Sequence, residues 1–240
     1  MASPLPPDES GKADGIAWDL WLPATPGLEG RRPGVVICHG AGSCKENHAD
    51  FASLAASKGW AALSYDARGH GETEPDLDPE AMSDVGRMAG LLSERGEVDP
   101  EKVVVRGSSM GGALALYGAC EFPEHIAGAI AVCPTLEDGL KFGLSSGLFE
   151  MRIGDLDALL AWLDAHRLAD EMPKLAGRPL LLQHAEGDEQ VPIDCSRTLY
   201  AAATEPKELV EVPGGDHRSV QHDPALQAAS LDWMKERLEG

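Results

Sequence analysis

Short apolar runs alternate with helical stretches along most of the chain. Ile16, Trp18, Leu20 and Leu22 alternate with smaller or polar residues, which predicts a half-buried strand near a sheet edge, after a loose Pro-rich start. Val35-Val36-Ile37-Cys38 predicts a buried strand, followed by a helix over about Asn47 to Lys58 and a strand over Ala61 to Tyr65. A helix from about Pro79 to Glu94, with Asp78 as N-cap, leads to the strand Val103-Val104-Val105. Helix Met110 to Cys120 and strands Ile126 to Cys133, Leu180 to Gln183 and Glu208 to Val212 follow, and a helix over about Pro224 to Leu238 ends the pattern. This alternation predicts one α/β domain over residues 1–240, with a mostly parallel central sheet flanked by helices.

One stretch departs from it. Pro134 to Met172 contains no clear strand, only Gly-punctuated apolar pieces and a helical segment around Asp155 to Ala169, and is expected to be an inserted lid. Phe142, Phe149 and Trp162 are its candidate substrate-contacting side chains, with Leu144, Leu148, Met151 and Ile153 also able to line an acyl or aromatic pocket.

The chain of 240 residues carries 20 Lys and Arg against 40 Asp and Glu, a formal net charge of −20, so its mean potential repels phosphate backbones and anionic lipid headgroups. Neither nucleic acid nor a membrane is therefore an expected partner. No run of about 18 apolar residues occurs, and the start Met1-Ala2-Ser3-Pro4-Leu5 has no signal-peptide pattern. Cys38, Cys44, Cys120, Cys133 and Cys195 are an odd set without metal-ligand spacing, which fits a reducing cytoplasm. No metal and no cofactor is expected, and the chain is compatible with a monomer or a homodimer paired through an edge strand or exposed apolar lid residues.

The candidate chemistry centres on Gly107-Ser108-Ser109-Met110-Gly111-Gly112, between a Val-rich strand and an Ala/Leu-rich helix. A serine hydroxyl is a weak nucleophile, so it must be presented in the open and beside a base. Glycines two residues to either side permit the sharp strand-to-helix turn that exposes Ser109, while Ser108 points away. The base is expected after a late strand, where Glu211-Val212-Pro213-Gly214-Gly215-Asp216 leads to His217. The acid should precede it in the chain and follow a strand, as Asp188 does; Glu186, Glu189 and Asp194 are weaker rivals. The oxyanion donors are expected to be the Met110 N–H and the Ala41 N–H, the latter on the glycine-bearing loop His39-Gly40-Ala41-Gly42. His39 and Gly40 are candidate substrate contacts there, although the preferred assignment for His39 is to hold the loop.

Together with Asp66-Ala67-Arg68-Gly69-His70-Gly71 and Gly187-Asp188, these motifs occur in an order that resembles the α/β-hydrolase superfamily over about Ile16 to Leu238. The segment His39 to Gly71 and the lid position are similar to dienelactone-hydrolase-like and cinnamoyl/feruloyl-esterase-like carboxylesterases. Dienelactone hydrolases carry a cysteine nucleophile, whereas this chain has Ser109, which argues for ordinary ester chemistry. The resemblance implies a serine carboxylesterase for small to medium, including aromatic or cinnamoyl, esters, working through an acyl-enzyme. The alternatives are an amide- or peptide-cleaving relative of the prolyl-oligopeptidase group, an acyltransferase, and a non-catalytic binding protein on the same fold.

Overall fold

The computed structural model describes residues 4–23 and 30–240. Eight strands form one sheet: β1 (Glu9–Ala13), β2 (Ile16–Trp21), β3 (Arg32–Cys38), β4 (Ala61–Tyr65), β5 (Val98–Ser108), β6 (Ala129–Val132), β7 (Leu180–Ala185) and β8 (Lys207–Val212). Their spatial order is β1-β2-β4-β3-β5-β6-β7-β8. The hairpin β1–β2 and the pair β2–β4 are antiparallel, and every other pairing is parallel. The central strands are apolar on both faces because helices cover both, as parallel sheets require.

Helices α1 (Ala49–Ser57) and α9 (Pro224–Glu239) contribute to the core on one face, where Phe51 and Leu231 pack with Val35, Ile37 and Val104. Helices α2 (Ala81–Ser93) and α3 (Met110–Glu121) cover the other, burying Val85 and Leu116 with Val36 and Val105. Alternate residues of one strand thus serve two separate apolar cores. The long-period expectations and the observed elements agree to within a few residues.

Three differences have physical causes. The chain start is not loose from residue 5 onward: Trp21 Nε1 donates to Leu5 O at 2.9 Å, and Asp8 N donates to Leu20 O at 2.8 Å. Strand β1 takes the sheet edge, so the alternating strand is second from the edge and largely buried. Its sequence Glu-Ser-Gly-Lys-Ala exposes most of its side chains and carries no apolar alternation. The usable signal was Asp14-Gly15, whose φ values of 51° and 80° make the tight hairpin turn. Finally, α2 begins at Ala81, and Asp78 acts just ahead of it by accepting the Glu80 N–H at 2.9 Å.

The segment 134–172 folds into α4 (Glu137–Ser146), α5 (Leu156–Ala165) and α6 (Leu168–Glu171). The helix α4 was hidden by Gly139 and Gly143, which weaken a helical pattern; α5 matches its expectation and is capped by Asp155, which accepts the Ala158 N–H. Residues 152–154 attach to the body by a parallel bridge between Leu77 and Ile153. The remaining helices are α7 (Asp194–Ala202) and the short α8 (Ser219–His222). Among the described residues no helix is long and apolar enough to cross a membrane, and all five cysteines are free thiols.

Candidate active site

Strand β5 runs directly into Ser109, which adopts φ 56° and ψ −122° before α3 begins at Met110. This is a strained conformation for a residue with a Cβ, and it persists because the flanking backbone leaves no alternative. A Cβ at Gly107 would lie 1.9 Å from Gly111 O, and one at Gly111 would lie 2.2 Å from Cys38 O. The two glycines therefore allow strand, turn and helix to approach within backbone contact. Ser108 is fully buried with an unpartnered Oγ, on the opposite side of the turn from a solvent-reachable role.

Three loops at the carboxyl ends of the strands converge on this turn. After β3, Gly40 lies against Ser109, where an added Cβ would be 3.3 Å from the Ser109 Cβ. Neither the Ala41 nor the Met110 N–H has a hydrogen-bond partner among the described residues. After β7, Asp188 Oδ1 accepts the Gln190 and Val191 N–H groups, both at 2.9 Å. After β8, His217 places Nδ1 at 2.6 Å from Asp188 Oδ2. The last two loops are joined by Gly187 N donating to Gly214 O at 3.2 Å. Ser109 and His217 line the same cavity, and the Asp188 contact at Nδ1 leaves Nε2 of His217 for proton exchange.

Burial by itself would raise the Asp188 carboxyl, but hydrogen bonds from His184, His217 and the Val191 amide outweigh it and hold the group far below the ordinary carboxylate range. Asp188 is thus an anion at neutral pH. Asp216, next to His217 in sequence, turns away and accepts the Arg218 and Ser219 N–H groups. Glu186 and Glu189 are exposed, and Asp194 pairs with Arg197 on α7.

Two expected substrate contacts need correction. His39 is fully buried; Nδ1 bonds Gly40 O at 2.8 Å and Nε2 accepts the Ala67 N–H at 3.0 Å, so the ring braces the loop and has no nitrogen left for a ligand. His70 Nε2 supports the same loop by accepting the Gly42 N–H at 3.2 Å. Trp162 stacks on His166 at 4.3 Å and meets Tyr117 edge-on at 4.9 Å, anchoring α5 to α3 away from the cavity. Its neighbours Leu159 and Leu163 face the cavity instead, a placement that their i, i+4 spacing would have indicated.

Two compartments meet at Ser109. One, of about 360 Å³, is apolar: Phe142, Leu148, Phe149 and Met151 from the 134–172 segment face Met82 and Leu114 of the body. The other, of about 350 Å³, is polar and includes Gly40, Ala41 and His217. Phe142 and Phe149 line the apolar cavity and Gly40 the polar one. Sequence reading missed His184, a second imidazole at 3.5 Å from Asp188, because a histidine inside a strand carries no signal of its neighbours.

Cys133, His184 and Asp188 bring one potential metal-ligand atom each within 4.8 Å of one another. Both His184 nitrogens are engaged, by Ser196 Oγ at 2.7 Å and Val191 O at 2.9 Å, and burial pushes the Cys133 thiol well above its ordinary value. A neutral thiol and an occupied imidazole do not suit a metal centre.

The family model for the alpha/beta hydrolase family matches residues 35–184, and the chain belongs to that family. A relative from Salmonella typhimurium, the uncharacterized protein YfhR, is 28% identical over 188 residues, covering 76% of this chain and 63% of its own length. The chain thus spans under two thirds of that relative. Among solved structures, Est1E from Butyrivibrio proteoclasticus with ferulic acid bound superposes with a TM-score of 0.77 at 19% identity, covering 97% of this chain and 100% of Est1E. An esterase domain of a Rhodothermus marinus protein superposes with a TM-score of 0.71 at 23% identity, covering 92% of each chain. Both likenesses are of fold.

Proposed function

We propose that this protein is a serine carboxylesterase in which Ser109, His217 and Asp188 act as nucleophile, base and acid. The observation that carries the proposal is the convergence of a strained, glycine-flanked Ser109 with the Asp188–His217 pair at 2.6 Å, beside two unengaged backbone N–H groups. His217 Nε2 takes the Ser109 proton as Oγ adds to the ester carbonyl. The oxyanion is held by the Ala41 and Met110 N–H groups, which are fixed before the reaction and so cost no reorganisation. Collapse breaks the bond to the alcohol oxygen, which leaves with the proton from His217. Water, deprotonated by His217, then adds to the acyl-enzyme, and collapse returns the proton to Ser109 and releases the acid.

The apolar compartment of about 360 Å³ suits a medium aliphatic or single-ring aromatic acyl group. The 134–172 segment, which supplies much of its wall, acts as the lid. Resemblance in fold to an esterase domain and to a protein that binds ferulic acid supports esters within this range. The reading is tested by fluorophosphonate labelling and a p-nitrophenyl ester series from acetyl to decanoyl, with an aromatic member. A Ser109 adduct and a maximum at intermediate chain length are expected; folded protein without an adduct would overturn it.

A further inference from the structure

The polar compartment has a chemistry that the acyl pocket does not explain. It continues from Ser109 on the His217 side and is walled by Ser43, Asn47, His48, Arg218, Gln221 and His222. Among the described residues no carboxylate lines it, in a chain with twice as many acidic as basic residues. Arg218 is exposed at its rim and its guanidinium has no hydrogen-bond or ion-pair partner among the described residues.

Behind the wall lies a second cation. Arg106 is buried, donates to Gln221 O at 2.9 Å, reaches His48 Nδ1 at 3.5 Å and rests over the Phe51 ring at 4.2 Å. Burial lowers its pKa only to about 10, so it keeps its charge at neutral pH. Arginine cannot accept a hydrogen bond, so His48 Nδ1 is the acceptor and the ring carries its proton on Nε2, which is then a donor. His222 stacks on His48 at 5.8 Å and is oriented by Asp50, whose Oδ2 lies 2.9 Å from Nδ1. Asp50 also accepts from Gln227 Nε2 at 2.8 Å, and Asp216 accepts the Arg218 backbone N–H at 2.9 Å. The Asp50 charge is set against the Arg106 guanidinium behind the wall.

On the reading that Ser109 is the nucleophile and the apolar cavity holds the acyl group, this second compartment receives the alcohol half of the ester. We infer that it is a leaving-group site for an alcohol bearing an anionic head, a carboxylate or a phosphate, recognised by Arg218 at the rim and by the His48 donor backed by Arg106. Arginine and imidazole donors at the mouth of a carboxylate-free cavity are the arrangement that binds such groups by charge-assisted hydrogen bonds.

Four hexanoate esters with one acyl group test this: those of ethylene glycol, glycolate, 2-phosphoethanol and choline. Rates are compared as kcat/KM at 0.15 M salt, where the Debye length of about 8 Å screens the net charge of the molecule but not a contact pair. The expected result is a preference for the glycolate or phosphoethanol ester over the glycol ester of roughly tenfold or more, with the choline ester poorest. Which anionic arm is faster identifies the head group. Arg218→Glu, a surface change, should invert the order of the anionic and choline esters. An active enzyme with no anionic preference, or an order unmoved by Arg218→Glu, would overturn the site while leaving the esterase intact. Absence of turnover on all four esters together with no fluorophosphonate adduct would instead remove the esterase reading on which it rests.

Discussion

At Ser109, backbone geometry and chemistry cannot be separated. The residue adopts a φ of 56° because Gly107 and Gly111 let β5 and α3 meet at backbone distance, and that turn lifts its hydroxyl into the cavity. Ser109→Ala removes the hydroxyl proposed as nucleophile and leaves the turn's packing intact. Ester turnover should drop by roughly a thousandfold or more, with a Tm within a few degrees of the parent. Asp188→Asn keeps the shape but removes the anion that holds His217 as an Nδ1–H tautomer, and kcat should fall on the order of 10⁴-fold. Gly107→Ala behaves differently: its Cβ has nowhere to go, and a loss of about 3 kcal/mol or more in unfolding free energy is expected from denaturant titration. A Gly107→Ala protein with parental stability would contradict the packing described.

The three helices of the 134–172 segment divide their labour between anchoring and lining. The single Tyr117 hydroxyl proton on α3 is shared between Glu137 Oε1 at 2.9 Å and His166 O at 2.7 Å, and Leu168 N donates to the same Glu137 oxygen at 2.6 Å, so α4, α5 and α6 share one buried polar joint. Trp162 packs beside that joint, whereas Phe142, 64% exposed, projects over the cavity. Phe142→Ala should therefore leave Tm nearly unchanged while raising KM for medium and long acyl esters several-fold. Trp162→Ala should lower Tm by roughly 5 °C. Thermal scans beside an acyl-length profile distinguish the two; the reverse pattern would show that lining and anchoring had been assigned to the wrong residues.

Across the molecule, buried imidazoles govern the response to acid. Burial, reinforced by the neighbouring Arg106, holds His48 well below the ordinary histidine value, and burial beside His70 does the same for His39. In both cases the unfolded chain binds the proton first. Their stabilising contribution is complete above the unfolded value of about 6.5 and is lost progressively as pH falls toward the folded value. Asp188 and Asp50 are also depressed, and their share is lost only below about pH 4. Tm should therefore decline by roughly 5 °C between pH 7 and 5, ahead of the loss of the Asp188 and Asp50 contributions. A Tm constant over that interval would show that these rings are not buried as neutral species.

Much of this organisation was legible in one dimension. Central strands of a parallel sheet are apolar on both faces, so β3 to β7 stand out as runs of Val, Ile, Leu and Ala, and the sharp turns at their ends demand glycines next to Ser109, Asp188 and His217. Those requirements are local, and local rules can be read from adjacent residues. Strand β1 escaped because an edge strand is held by backbone bonds to one neighbour and needs no apolar pattern. Trp162 was misplaced because period and spacing say which residues share an element, not which of them turn toward a cavity, whereas His39 holds its loop as preferred from the sequence. The polar compartment lay beyond sequence reading altogether: His48 and Arg106, 58 residues apart, and His48 and His222, 174 apart, become neighbours only when β5, α8 and the turn before α1 close on one another. The chain order of Ser109, Asp188 and His217 was therefore set by local chemistry, and what surrounds Ser109 by long-range packing that no local pattern encodes.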